Sequence, residues 1–286
     1  MTGSSQIRAA QSLSPIPIPV GIGLKSQHYH YILDEKPKLG WFEVHPENYM
    51  CAGGPPHRYL SAIRETYELS LHSVGTSLGS VTRPDVRHLD ALKALVERYE
   101  PFLVSDHISW SRGPVHYHTD LLPLPYSQEA LDVLIRNVGI MQEHLGRQVL
   151  LENPSTYLEF ARADMDEPEF LTELVKRAGC GLIMDVNNVF VCAANHGLDT
   201  DDYLARIPWE AVQEIHLAGH AVEERDGFEL RIDDHGSHVS TDVWALYEKA
   251  IGHKDMVPTL IEWDSNIPEF PVLMAEAEKA RAVLNV

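Results

Sequence analysis

The stretch VLLENPSTYLEFARADMDEPEFLTELVKRAGCGLIMDV (149–186) holds the pattern on which the fold reading turns. Two short apolar runs, VLLEN (149–153) and GLIMDV (181–186), flank a longer amphipathic segment, and each run ends in polar residues. Nearly continuous apolar character is what a strand needs when both its faces are buried in a parallel sheet. Working outward from this unit, the same pattern recurs. VGIGL (20–24), GWFEVH (40–45), LSLHSV (69–74), FLVSDH (102–107), EIHLAG (214–219) and PTLIEW (258–263) complete a set of eight. Their starts lie 20 to 47 residues apart with a mean of 34, the length of a strand, a helix and two loops.

The connecting segments read as helices. Leu131, Leu134, Ile135, Val138, Met141 and Leu145 form one apolar stripe at helical spacing. Leu89, Leu92, Leu95, Val96 and Tyr99 do the same, with Pro84 near the helix start. Ser240 and Thr241 stand as N-caps before 242–251. Eight β-then-α units predict an α/β fold, a TIM (β/α)8 barrel forming a single domain over residues 19–286. An open doubly wound sheet is the alternative, but VGIGLKSQ lacks the third glycine of its phosphate turn. Residues 1–18, with Pro15 and Pro17 leading to Pro19, read as a flexible N-terminal tail. The long connections 108–126 and 220–239 are expected to form loops over the barrel mouth.

Charge narrows the function. The chain has 286 residues, 23 Lys plus Arg against 42 Asp plus Glu, and a net charge of −19. That balance opposes binding to nucleic acid, which needs basic residues to displace counterions, and opposes docking on anionic lipid. No stretch reaches the roughly 20 apolar residues that span a bilayer, and the N-terminus lacks a secretory h-region. Cys51, Cys180 and Cys192 make no disulfide framework and no CxxC pair, which points to a reduced cytoplasmic protein.

The strand ends carry the chemistry. His45 and Asn48 follow the second strand, His72 the third, Asp106 and His107 the fourth, and Glu152 and Asn153 the fifth. Asp185, Asn187 and Asn188 follow the sixth, His216 and His220 the seventh, Glu262 and Asp264 the eighth. Such groups are costly to bury unless paired or metal-bound, and in a barrel these ends converge on one mouth. Taken singly, a strand-end His is more often structural, Glu152 could order a loop and Asp264 could cap the last helix. Seven strands together exceed what one general acid and base require. The mixture of imidazole and carboxylate suits Fe, Mn or Zn, and its size implies two or three ions sharing a bridging carboxylate. LRIDDHGSHVS (230–240) adds Asp233 and His235 as a D-x-H pair; its plain reading is a solvated acidic turn. No GxSxG elbow, phosphate loop or HExxH helix is present.

The segments GWFEVHPENYMCAGGPPHRYL, LSLHSVG, LVSDHISW, DLLPLPYS, VLLENPSTYL, LIMDVNNVFV, EIHLAGH and LIEWD, in this order along the chain, resemble the multinuclear non-haem iron-dependent oxidative enzymes. That family includes the iron subunit of methanobactin biosynthesis and the enzymes that mature bufferin peptides. The resemblance implies a xylose-isomerase-like barrel with two or three irons that use O2 to oxidise a cysteine in a ribosomally made, Cys-containing precursor peptide. A separate leader-binding partner protein would deliver that peptide. Carried over motif by motif, the implied metal ligands are His45, His72, Asp106, Glu152, Asp185, Asn188, His216, Asp233, His235 and Glu262, with Glu152, Asp185 and His216 as the catalytic core. Asp106 stands where the SEH-type version of its motif has Glu, which shortens its reach by roughly 1.5 Å. A metal-dependent sugar isomerase, a phosphodiesterase of the endonuclease-IV type and a non-catalytic metal-binding protein remain alternatives on the same barrel.

Overall fold

The computed structural model of the chain describes residues 18–113, 117–225 and 227–286. The expected tail, 1–18, lies outside the described residues apart from Ile18. All eight expected strands are present: β1 (Val20–Gly23), β2 (Trp41–Val44), β3 (Glu68–His72), β4 (Leu103–His107), β5 (Leu150–Glu152), β6 (Gly181–Asp185), β7 (Val212–Leu217) and β8 (Thr259–Ile261). Each pairs in parallel with the next, and β1 pairs with β8, so the sheet closes. Closure excludes the open doubly wound alternative. The described helices are α1 (Tyr29–Glu35), α2 (Pro55–Arg64), α3 (Val86–Tyr99), α4 (Gln128–Leu145), α5 (Glu167–Ala178), α6 (Val186–His196), α7 (Thr200–Arg206), α8 (Thr241–Ile251) and α9 (Phe270–Leu284). Among the described residues, no helix is long and apolar enough to cross a membrane.

Local chemistry sets these boundaries. Ser240 caps α8, its Oγ accepting the Val243 N–H at 3.2 Å, and Gly146 ends α4 in the left-handed conformation at φ 70°. The predicted α4 stripe is buried at Leu131, Leu134, Val138, Met141 and Leu145. Alternation along the strands then divides the core. Ile22, Phe42, Leu69, Leu71, Val104, Leu151, Leu182, Met184, Ile215, Leu217 and Ile261 point outward into the cluster beneath the helices. Leu103, Leu150 and Ile183 point inward and fill the lower barrel. Trp41 joins them there, edge-on to Phe102 at 5.2 Å. Gly21 leaves room for it, since a Cβ at that position would stand against the indole.

The two long connections are more ordered than plain loops. The first holds an antiparallel hairpin of Trp110–Arg112 with Tyr117–Leu122, the second one of Ala221–Arg225 with Phe228–Ile232. Alternation of exposed residues there is too weak a signal to separate a hairpin from a polar loop.

Candidate metal centre

The barrel register places the site. His107, Glu152, Ile183 and Glu214 align across β4 to β7, while Asp185 aligns with His216. Residues in register share a face, so His107, Glu152 and Glu214 all look into the barrel. Glu152 is the centre of the upper layer. Its Oε2 lies 2.9 Å from His72 Nε2, 3.5 Å from His107 Nε2 and 3.7 Å from His216 Nδ1. Its Oε1 accepts from Asn188 Nδ2 at 3.3 Å.

Backbone and hydroxyl groups set the imidazole tautomers. A carbonyl oxygen only accepts, so His45 Nδ1–H donates to the His72 carbonyl and His107 Nδ1–H to the Ser73 carbonyl, both at 3.2 Å. Each ring then turns Nε2 toward the mouth; around His45, burial is outweighed by Asp264, which raises the imidazole above its ordinary value. His72 Nδ1 meets Ser105 Oγ at 2.8 Å, and its Nε2 faces that of His107 at 3.1 Å. Burial, with His216 nearby, drives His72 down to about 3; burial, with His72 nearby, drives His107 down to about 4. Both rings therefore offer lone pairs at neutral pH.

Asp185 serves two partners. As N-cap of α6, its Oδ1 accepts the Asn188 N–H at 2.6 Å, which leaves Oδ2 free to face the site. Burial and the nearby Glu152 push Asp185 well above the usual carboxylate range, and burial raises Glu152 as well. On the other side of the mouth, Glu262 Oε2 approaches His216 Nδ1 at 3.1 Å and His235 Nδ1 at 3.5 Å. Burial opposes the charged form of both imidazoles. Glu43, Glu214 and Glu262 outweigh it around His216, and Asp233 and Glu262 around His235, so both stand well above the ordinary His value. Those two imidazoles in turn hold Glu262 well below its usual range against burial.

Asp233 and His235 come together although their segment is not extended. His235 adopts φ 45°, a left-handed turn that only the surrounding contacts stabilise, and its Nε2 reaches Asp233 Oδ1 at 2.6 Å. Asn187 Nδ2 donates to that same oxygen at 2.7 Å, and the Asp233 N–H donates to Tyr157 Oη at 2.9 Å.

The structure thus brings together His45, His72, Glu152, Asp185, Asn188, His216, Asp233, His235 and Glu262. Asp106 is elsewhere. It pairs in register with Leu151, which points outward into the helix-facing core, so its carboxyl is buried behind the strand. There Oδ1 accepts the His107 N–H at 2.7 Å, and burial pushes the group up to about 7. Adjacent residues on a strand face opposite ways, and His107 takes the inward position. Asp264 is a further member: it ion-pairs with Lys25, approaches His235 Nδ1 at 3.6 Å and does not cap α9, whose N-cap is Glu269. Below the layer lie two residues that strand-end reasoning passed over, Glu43 and Glu214. Period-2 alternation carries the signal for them, at i−2 from His45 and from His216.

The donors fit a cation. Glu152 Oε2, Asp185 Oδ2, Asn188 Oδ1, His216 Nδ1, His235 Nε2 and Glu262 Oε2 are buried without a hydrogen-bond partner. Unpartnered buried polar atoms each cost free energy, and here they share one volume. Separations near 3 Å are about what neighbouring ligands show around an ion bound at ~2.0–2.1 Å. Groups His72–His107–Glu152, Glu152–Asp185–His216 and Asp185–His235–Glu262 each place ligand atoms within 4.8 Å of one another. Glu152, Asp185 and Glu262 are shared between groups or lie next to one, the arrangement that a multinuclear centre needs. Above it opens a cavity of ≈ 370 Å³, lined by His45, His107, Glu152, Asn188, His235 and Asp264 among others. That lies within the range of about 300–1,000 Å³ typical of ligand sites.

Known proteins show the fold by structural likeness and the family by likeness of sequence. The barrel is similar to a xylose isomerase-like TIM barrel protein from Mycobacterium smegmatis (TM-score 0.55, 14% identity, 94% of this chain and 96% of that one). It is also similar to endonuclease IV from Thermus thermophilus (TM-score 0.56, 15% identity, 91% of this chain and 99% of that one). At such identities the likeness is one of fold. In sequence, a UPF0276 protein of a Caulobacter species is 53% identical over 244 residues, 85% of this chain and 88% of the relative. The sequence pattern of one family of modification enzymes for RiPP precursors (ribosomally synthesised and post-translationally modified peptides) spans residues 19–285. With that span matched, the chain belongs to the RiPP precursor modification enzyme MbnB/TglH/ChrH family.

Proposed function

We propose that the chain oxidises cysteine residues of a ribosomally made precursor peptide, with two or three irons at the barrel mouth and O2 as oxidant. The observation that carries the metal reading is the convergence of three imidazole nitrogens on Glu152 Oε2, 2.9 to 3.7 Å away. Membership of a precursor-modifying family supports a peptide as substrate. Mixed His and carboxylate donors favour iron over Mg or Ca, which prefer oxygen alone. In this reading the ligands are His45, His72, Glu152, Asp185, Asn188, His216, Asp233, His235 and Glu262, with His107 in place of Asp106. Glu152, Asp185 and His216 form its catalytic core.

Bound iron would supply redox capacity and a Lewis-acid centre that favours the thiolate form of a cysteine. The rest falls to the protein. The His72 and Ser73 carbonyls hold His45 and His107 with Nε2 inward, and α6 holds Asp185 through the Asn188 N–H. Val74, Leu121 and Pro154 line the cavity beside the polar groups, so a peptide side chain entering it displaces water from an apolar wall. The cavity admits a short peptide segment, and a separate leader-binding protein would hold the remainder. The three cysteines of this chain are free, in keeping with work in the reducing cytoplasm. Lys25, the lysine at a strand end, is tied to Asp264, which leaves proton transfer of the sugar-isomerase kind without support.

The test is anaerobic loading with Fe(II), metal analysis, then O2 uptake and mass spectrometry with a Cys-containing precursor peptide. Two or more irons per chain and an O2-dependent mass change at cysteine are expected. One metal or none, or an unchanged peptide when the partner protein is supplied, overturns the reading.

A further inference from the structure

Beneath the upper layer, the barrel interior holds a second set of buried acids. Glu214 is fully buried on β7 two residues before His216, and both of its carboxylate oxygens lack a hydrogen-bond partner. Glu43 on β2 faces it across the barrel, with Oε2 accepting from Ser70 Oγ at 3.0 Å. Between them stands the His216 ring, with Nε2 3.5 Å from Glu43 Oε1 and 3.5 Å from Glu214 Oε1. Its Nδ1 points the other way, to Glu152 and Glu262.

A register shift produces this arrangement. Leu182 pairs with Val212 but Ile183 pairs with Glu214, so β7 carries one extra residue at Gln213. Val212 and Ile215 both join the outward-facing core although they stand three positions apart, an odd number, which places the break in alternation between them. Two residues apart, Glu214 and His216 share a face by alternation, and the bulge sets the register that turns that face into the barrel. A buried carboxylate lacking any other donor is retained at a cost, and a proton on the imidazole nitrogen that faces it would offset that cost.

We propose that Glu214 is the positioning residue of His216, its carboxylate taking the Nε2–H so that Nδ1 is the nitrogen offered to the metal beside Glu152 and Glu262. Glu43 has Ser70 as a donor to its Oε2; for Glu214 the facing group is His216 Nε2, 3.5 Å away and itself without a hydrogen-bond partner. A ligating His generally donates its other N–H to such an acceptor, which fixes tautomer and ring orientation. The inference rests on the reading above that His216 is a metal ligand.

The experiment uses Glu214→Gln, which keeps the shape, and Glu214→Leu, which removes the acceptor at similar volume, each checked for folding by circular dichroism. Fe(II) affinity is measured anaerobically by chelator competition. Separately, the [15N]histidine-labelled chain is loaded with Zn(II) as a diamagnetic probe, and the His216 ring N–H, assigned with His216→Gln, is observed by NMR. In the wild type the proton is expected on Nε2, slow to exchange and shifted downfield. In Glu214→Leu it should move upfield and exchange faster, with one equivalent of Fe(II), the one beside Glu152 and Glu262, losing about 10–100-fold in affinity; Glu214→Gln should fall between. A proton on Nδ1, or an unchanged N–H signal and Fe(II) affinity in folded Glu214→Leu, overturns this proposal alone. A wild-type chain that binds no metal overturns it together with the reading of His216 as a ligand.

Discussion

Glu152 Oε2 and His72 Nε2 stand 2.9 Å apart, both buried, with no hydrogen bond between them. The oxygen lies off the axis along which a ring N–H would point, and His72, driven down to about 3 mainly by burial, is neutral. His72 Nε2 instead shares a hydrogen bond with His107 Nε2 at 3.1 Å, which leaves Glu152 Oε2 buried without a partner. A cation among them would give all three atoms a common partner. From this arrangement the ligands of the barrel and those of the 233–235 turn acquire different weights.

Asp233→Ala or His235→Ala should remove one iron per chain and leave the others bound. Both side chains belong to a turn, and local opening of such a segment takes less free energy than opening a barrel strand. Glu152→Ala should lose two or more irons, since three imidazoles face that one oxygen. Iron per chain after anaerobic loading and desalting, with thermal unfolding alongside, measures this. Equal loss in all three variants would show that turn and barrel ligands do not differ in energy.

Asp106 offers a test that depends on pH. Its folded pKa is raised, mainly by burial, from 3.8 to about 7. A raised acid binds its proton more tightly when folded, so its contribution to stability falls as pH rises from about 4 to 7 and stays low above. Asp106→Asn removes that slope. Above pH 7 the variant should be more stable than wild type by on the order of 1–3 kcal/mol, with iron content unchanged. Denaturant titrations of the metal-free chains at pH 5 and pH 8 check the sign. A loss of iron in Asp106→Asn would return this residue to the ligand set.

Iodoacetamide should mark one cysteine in the folded chain. Cys51 is exposed, whereas Cys180 and Cys192 are buried. Burial pushes both buried thiols up to about 12. The thiolate is the reactive form, so neither reacts appreciably at pH 7.5. Intact mass after labelling should show a single adduct; two or three adducts without unfolding would contradict the placement of these side chains.

Gly219→Ala tests the packing beneath the turn. A Cβ there would stand against Ser237 and the His238 carbonyl, in the segment that follows Asp233 and His235. Overpacking of this kind costs about 1–3 kcal/mol. If the turn yields, iron bound partly by Asp233 and His235 should be lost while the barrel-bound iron remains. Retention of every iron at wild-type affinity would mean that the segment shifts without moving its ligands.

Much of the barrel was legible because its periodicity is local. The eight strands lie within one or two residues of the apolar runs that announce them, since a strand buried on both faces must be apolar along its length. The hairpins at 110–122 and 221–232 were not, because exposed strands carry no such demand. In the site, the ligand-bearing strand ends were legible as polar residues closing apolar runs. The choice between Asp106 and His107 was not, because two adjacent polar residues satisfy the same pattern and only the pairing of His107 with Glu152 decides which faces inward.

The amino-acid sequence by itself determined the number of units, the barrel topology and the end of the barrel where imidazoles and carboxylates collect, because each follows from short-range alternation of apolar and polar residues. The tertiary structure decided what alternation cannot express. It turned His107 inward and Asp106 outward, placed Lys25 on Asp264 across the β1–β8 seam, and turned Glu214 and His216 inward together through a bulge on β7. The physical reason is register. A shift of one residue reverses every side chain's face, and register is settled by the pairing of strands far apart in the chain.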